Sequence, residues 1–266
     1  DTWSLMIIDI DGDGDLDVVS GNYAQEDKFY LNDGDSAPFT GITAGTDIGT
    51  DTANTRTIAA VDIDGDGDSD VVSGISGTNT YCKSGRGYSK YTNQVSGRDI
   101  GTYTGNVYAI QLGDIDGDGD LDVVTCSISG GGNRYFLNDG DDTPFDSAGT
   151  GTVIGIGTNS CRSLKLGDID GDGDLDLVVG NADPGDKTNL YFLNDGDATP
   201  FDTAGTGESI GLDLDNTWSI QLGDIDGDGD LDVVAGNAGA TNKYYLNDGD
   251  SDPFNAVIKG DIGTDE

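Results

Sequence analysis

Five times the chain spells Asp-x-Asp-Gly-Asp-Gly-Asp-x-Asp. The carboxylates concerned are Asp9, Asp11, Asp13, Asp15 and Asp17; Asp62, Asp64, Asp66, Asp68 and Asp70; Asp114, Asp116, Asp118, Asp120 and Asp122; Asp168, Asp170, Asp172, Asp174 and Asp176; and Asp224, Asp226, Asp228, Asp230 and Asp232. Oxygen donors at alternate positions, with no imidazole or thiolate among them, suit a hard cation. Ca²⁺ in particular takes about six to eight oxygens in a flexible shell. In the first string Asp9, Asp11, Asp13 and Asp17 are expected to ligate through their side chains, and Gly14 to make the sharp turn at the sixth position. Asp15 is expected to offer its backbone carbonyl and turn its carboxylate to water, while Ile10 and Leu16 point inward. Asp-Gly strings also serve as plain hairpin turns. Turn chemistry alone does not explain five copies with no substitution at any aspartate, because five crowded carboxylates repel one another unless a cation neutralises them. About five Ca²⁺ ions are expected.

The whole composition points the same way. The chain carries 51 acidic and 12 basic residues, no histidine and a formal net charge of −39. Only Glu26, Glu208 and Glu266 are glutamates. Aspartate competes with the helix backbone for hydrogen bonds, so Asp with abundant Gly describes strands and tight turns. Nucleic acid and anionic membranes, which need a basic face, are excluded as partners. No hydrophobic run approaches the roughly 20 residues of a membrane span. The chain does not begin with Met and shows no signal peptide, and reads as a processed or excised mature segment.

The elements that position the acids repeat with them, at intervals of 52 to 56 residues. An alternating segment such as Trp3 to Ile7 leads into each acidic loop, and an apolar run such as Asp17-Val18-Val19 leaves it. A third strand ends in Leu-Asn-Asp-Gly, a Pro-Phe pair follows in four repeats, and a weaker fourth strand carries Ile-Gly. Four short strands per repeat, joined by turn residues, predict an all-β chain: a β-propeller of five four-stranded antiparallel blades with one calcium loop each. The expected units are 1–53, 54–105, 106–159, 160–215 and 216–266 of a single domain. The second departs from the others, with Ser69 in place of Leu, Cys82-Lys83-Ser84-Gly85 in place of Leu-Asn-Asp-Gly, and five cations, Arg56, Lys83, Arg86, Lys90 and Arg98. It is either a drifting copy or one recruited for a contact.

At Gly113 to Asp122, Gly167 to Asp176 and Gly223 to Asp232, and again at Leu-Asn-Asp-Gly, the chain resembles the FG-GAP and VCBS repeat families, whose blades occur in integrin α-subunits, fungal lectins and bacterial surface proteins. The resemblance implies a propeller with calcium in the loop between the first two strands of each blade. Family propellers commonly have about seven blades, so five blades mean either a five-bladed ring or a piece of a longer array.

Three functions are open. An extracellular adhesion or carbohydrate-binding module would use Trp3, Arg56, Tyr108, Arg162 and Trp218, one at the start of each blade, to stack on sugar rings or grip anionic groups; the same residues could instead pack between blades. A structural subunit of a fibre or surface layer would self-assemble, for instance through the flat outer strands near Ile48 and Ile262. A carboxylate-dependent glycosidase or lyase needs only a pair of acids, but calcium accounts for most of them, and with no histidine the chain is read as not an enzyme. The expected partner is a glycan or protein outside the cell.

Three cysteines allow one disulfide. Cys126 aligns with Gly21, Gly74, Gly180 and Gly236, and Cys161 with Thr2, Thr55, Val107 and Thr217. Adjacent blades would place these positions side by side, so a Cys126–Cys161 bond is expected. Cys82 fills a leucine slot as a buried thiol.

Overall fold

The computed structural model describes residues 1–50, 52–84, 97–128, 131–155, 160–254 and 258–264. Gly85, Arg86 and Lys90 lie outside the described residues. Among the described residues there are strands and turns and no helix. The first sheet holds β1 (Thr2–Ile8), β2 (Asp17–Asn22), β3 (Asp27–Tyr30) and β4 (Thr46–Ile48). The second holds β5 (Thr55–Val61), β6 (Asp70–Ile75), β7 (Thr80–Cys82) and β8 (Arg98–Asp99). The third is made of β9 (Asn106–Gly113), β10 (Asp122–Ile128), β11 (Asn133–Phe136) and β12 (Thr152–Ile154). The fourth consists of β13 (Cys161–Gly167), β14 (Asp176–Asn181), β15 (Leu190–Phe192) and β16 (Glu208–Ser209), and the fifth of β17 (Thr217–Gly223), β18 (Asp232–Asn237), β19 (Asn242–Leu246) and β20 (Ile258–Ile262).

In every sheet the strands lie in chain order, each next to its sequence neighbour. That follows from short polar connections between β-branched runs, since a short link can only return antiparallel. The second strands Asp176–Asn181 and Asp70–Ile75 are buried along their whole length, each flanked by a strand on both edges.

Contacts divide the chain into two compact units, Asp1–Ile110 with Phe136–Gly151, and Gln111–Tyr135 with Thr152–Glu266. In the first, Ile10, Val19, Phe29 and Ile48 of one sheet pack against Ile58, Val71 and Cys82 of the next. In the second, Ile169, Val178 and Tyr191 pack against Ile210, Ile220, Val233 and Tyr245. Cys126 is joined to Cys161 with the two Cα atoms 5.4 Å apart, and Cys82 is buried and in no disulfide. Cys82 does not fill the expected leucine slot: it pairs with Val71 as Tyr30, Phe192 and Tyr245 pair with Val18, Leu177 and Val233, so it takes an aromatic position.

One expectation needs correction. Ile10 points inward and is almost wholly buried, but Leu16, expected to do the same, is exposed. Its counterparts are covered by a neighbour: Leu175 and Leu231 lie over Gly113 and Gly167 of the sheet before their own.

Candidate functional site

Each acidic loop folds on its own aspartates before any ion is considered. Asp9 accepts hydrogen bonds from the backbone N–H of Gly12 at 2.8 Å and of Gly14 at 2.9 Å, winding the loop around its carboxylate. Gly12 and Gly14 adopt φ of 78° and 98°, which side chains other than glycine's rarely allow. The last aspartate of the string is an internal brace. Asp17 Oδ2 accepts from Ile10 N–H at 3.0 Å, and Oδ1 from Asn32 N–H at 2.7 Å. The fourth loop repeats this pair with Asp176, at 2.8 Å to both Ile169 and Asn194. All five of these acids, Asp17, Asp70, Asp122, Asp176 and Asp232, are fully buried.

Three carboxylate oxygens converge in every loop, within 4.8 Å of one another. In the first two loops the groups are Asp9, Asp11 and Asp13, and Asp62, Asp64 and Asp66. In the others the buried brace takes the place of the third acid: Asp114, Asp116 and Asp122; Asp168, Asp170 and Asp176; Asp224, Asp226 and Asp232. Asp15 behaves differently from the expectation that its carboxylate faces water. It is half-buried and lies against Gly34 of the Leu-Asn-Asp-Gly turn, so closely that a β-carbon there would push the carboxylate aside. Asp174 against Gly196 and Asp230 against Gly249 do the same. The turn glycine makes the room.

The electrostatics of the loops call for a cation. Burial, with neighbouring carboxylates adding to it, pushes Asp70 up to about 6 and Asp176 up to about 7. Asp11, Asp116, Asp170 and Asp226 are raised for the same two reasons, burial first. An all-carboxylate set fits a hard cation such as Ca²⁺ and does not fit a soft one. The second loop holds a cation of its own. Lys83, which the strand register sets where Leu31, Leu193 and Leu246 stand, with Ser84 rather than Lys83 in the place of Asn, puts its ammonium 2.8 Å from Asp64 Oδ2.

The residues at the strand starts, at the far end of each first strand from its loop, form stacks. The register of β1 on β2 jumps between Thr2 and Ser4, making Trp3 the extra residue of a β-bulge. Arg56, Arg162 and Trp218 occupy the same bulged position in their sheets. A bulge re-aims its side chain out of the regular alternation. The Arg56 guanidinium accordingly lies between two rings, 5.0 Å from the Trp3 centroid and 4.0 Å from that of Tyr108. In the other unit Arg162 lies 5.3 Å from the Trp218 centroid. Packing therefore occupies the arginines, while Trp3 and Trp218 remain exposed.

Two participants escaped the sequence reading. Tyr23 extends the first stack, its ring 4.7 Å from Trp3; an aromatic directly after Gly21-Asn22 was the signal. The second is the Asn of Leu-Asn-Asp-Gly. Asn194 and Asn247 each reach the loop of the preceding sheet, and the recurrence of that residue in four repeats pointed to it.

The sequence profile of the FG-GAP-like repeat matches residues 9–73, 114–179 and 168–235. The chain belongs to this family. Its FG-GAP sheets are blades of a β-propeller fold, and solved structures agree at the level of fold. The V. cholerae biofilm matrix protein Bap1 is similar over 98% of this chain and 39% of its own, with TM-score 0.51 and 17% identity. An Agrocybe aegerita lectin, described by its specific recognition of non-reducing terminal N-acetylglucosamine, is similar over 97% of this chain and 66% of its own, with TM-score 0.56 and 17% identity. The Dos1 propeller is similar over 98% and 61%, with TM-score 0.52 and 11% identity. The FG-GAP chain thus spans less than two thirds of the length of each of these three structures. No curated protein matches it in sequence.

Proposed function

We propose that this FG-GAP chain is an extracellular, calcium-loaded propeller that binds glycans as an adhesion module, and that it is not an enzyme. The observation that carries the reading is the pair of aromatic–arginine stacks at the ends of the first strands, with Trp3 and Trp218 open to solvent. Indole faces bind the apolar faces of sugar rings, and the stacked guanidinium holds the ring orientation. The lectin and biofilm-matrix folds among similar structures support an extracellular setting. Calcium would sit in the acidic loops, held by the convergent aspartates, and would neutralise part of the net charge. Sites of this kind in extracellular modules bind at about 10⁻⁴–10⁻³ M. The chain has no histidine for general-base work, and no helix of the described residues is long and apolar enough to cross a membrane.

A glycan array followed by calorimetry in millimolar calcium tests the reading. Binding to at least one saccharide, weakened about tenfold or more by Trp218→Ala or Trp3→Ala with the melting temperature unchanged, is expected. Failure to bind any saccharide, or binding indifferent to both substitutions, overturns it. The role of calcium is tested separately: excess chelator should lower the melting temperature sharply, because ion binding free energy is folding free energy here.

A second reading, a structural subunit of a fibre or surface layer, is favoured by the outer strand β20, where Ile258 and Ile262 are exposed on a sheet edge. Unpaired edges recruit other strands.

A further inference from the structure

Arg56 is a cation without a counter-ion in a chain of 51 acidic residues. Among the described residues no carboxylate forms an ion pair with it, and its Nε is enclosed with no hydrogen-bond partner. Asp27, which bonds the neighbouring Thr55, does not serve it. The Asp27 oxygens accept from Asn22 N–H at 2.9 Å, from Thr55 Oγ1 at 3.0 Å and from Ser73 Oγ at 2.8 Å. Arg56 as a whole is only partly buried.

What holds the guanidinium is aromatic. The Trp3 and Tyr108 rings lie 5.0 and 4.0 Å from its central carbon, and Trp3 in turn stacks on Tyr23 at 4.7 Å. Both supports are fixed by blade seams that have no slack. A β-carbon at Gly21 would stand 2.8 Å from Thr55 Cγ2 and 2.9 Å from Ile58 Cγ2, residues on either side of Arg56. At Gly74 it would stand 3.1 Å from Val107 Cγ1 and 3.0 Å from Ile110 Cγ2, on either side of Tyr108. Ser76 Oγ also donates to Asn106 Oδ1 at 2.6 Å, pinning the start of β9. All of these residues belong to the first unit.

Rings beside a guanidinium attract its charge, but they accept none of the N–H bonds that point outward in its plane. Those donors form a fork that fits the two oxygens of a carboxylate. We propose that Arg56 receives the carboxylate of an acidic sugar, a uronic acid, so that the first stack reads the charge of the glycan. The proposal rests on the glycan-binding reading and adds the class of sugar. The net charge of −39 does not forbid an anionic ligand at this place. Asp62, where the acidic loop begins, is six residues along β5 from Arg56, about 20 Å away. That is more than twice the roughly 8 Å over which physiological salt screens exposed charges.

Calorimetry in millimolar calcium tests the proposal, with a tetrasaccharide of alternating glucuronate and N-acetylglucosamine as the probe. The probe should bind, and the same tetrasaccharide with its carboxylates methyl-esterified should bind at least about tenfold more weakly. Arg56→Gln should erase that discrimination. Arg56→Lys, which keeps the charge and loses the planar fork, should restore little of it. The comparison of acid with ester on the unaltered chain needs no variant to fold. An ester that binds as tightly as the acid, or acid binding that survives Arg56→Gln, overturns the proposal. Neutral sugars that bind through Trp218 while neither form of the probe binds overturn it too, and leave the adhesion reading standing. Binding of no saccharide at all removes both.

Discussion

Asn194 donates its side-chain amide to the Ile115 carbonyl at 2.7 Å, tying the Leu-Asn-Asp-Gly turn of the fourth blade to the aspartate loop of the third. The same amide reaches the Leu175 carbonyl of its own loop at 3.2 Å. Asn32 donates to the Leu16 carbonyl of its own loop at 3.1 Å. Asn194→Ala strands a buried carbonyl at the seam, which costs about 1–3 kcal/mol. Asn32→Ala should cost clearly less. Denaturant unfolding in saturating calcium checks the order, and equal losses would mean that the inter-blade bond contributes nothing.

Asp17 and Asp13 share a loop but not a task. Asp17 is buried and braces two backbone N–H groups, whereas Asp13 is exposed. Asp17→Ala should destabilise by about 2–4 kcal/mol even in chelator, because two buried donors lose their acceptor. Asp13→Ala should change chelator stability by no more than about 0.5 kcal/mol and act only on cation binding. Melts with and without chelator would separate the two, and identical behaviour in chelator would refute the brace.

Lys83 offers Asp64 a permanent positive charge inside the second acidic loop. Calcium titration should therefore resolve four similar sites and a weaker fifth. Lys83→Leu, which restores the residue that the other repeats carry at this register, should bring the fifth into line. A single class of sites in the unaltered chain would argue that the ammonium swings away at no cost.

The Cys126–Cys161 bond closes 35 residues of chain. Reduction should lower stability by about 3–4 kcal/mol in the chain-entropy view. Thiol counting in the denatured, unreduced protein should find one free group, that of Cys82, and three would exclude the bond.

Strands, blade count and acidic loops were legible in the residues because each is a local matter. Alternation, Asp-Gly turns and a strict repeat depend on neighbours a few positions apart, and Asp9 folds its loop with bonds that span at most five residues. The position of the candidate stack was legible too, from one aromatic or arginine before each strand. What that position does was decided elsewhere. Arg56 is held between Trp3 and Tyr108, from three different blades, a relationship made by sheet stacking and a bulge rather than by spacing. The same holds for Leu16 and Leu231, which occupy one place in the repeat. Leu231 covers Gly167 of the preceding blade, and Leu16 is exposed. A repeat can specify its own loop and its own two faces, but burial is a property of whatever packs against a face, and only the tertiary structure supplies that neighbour.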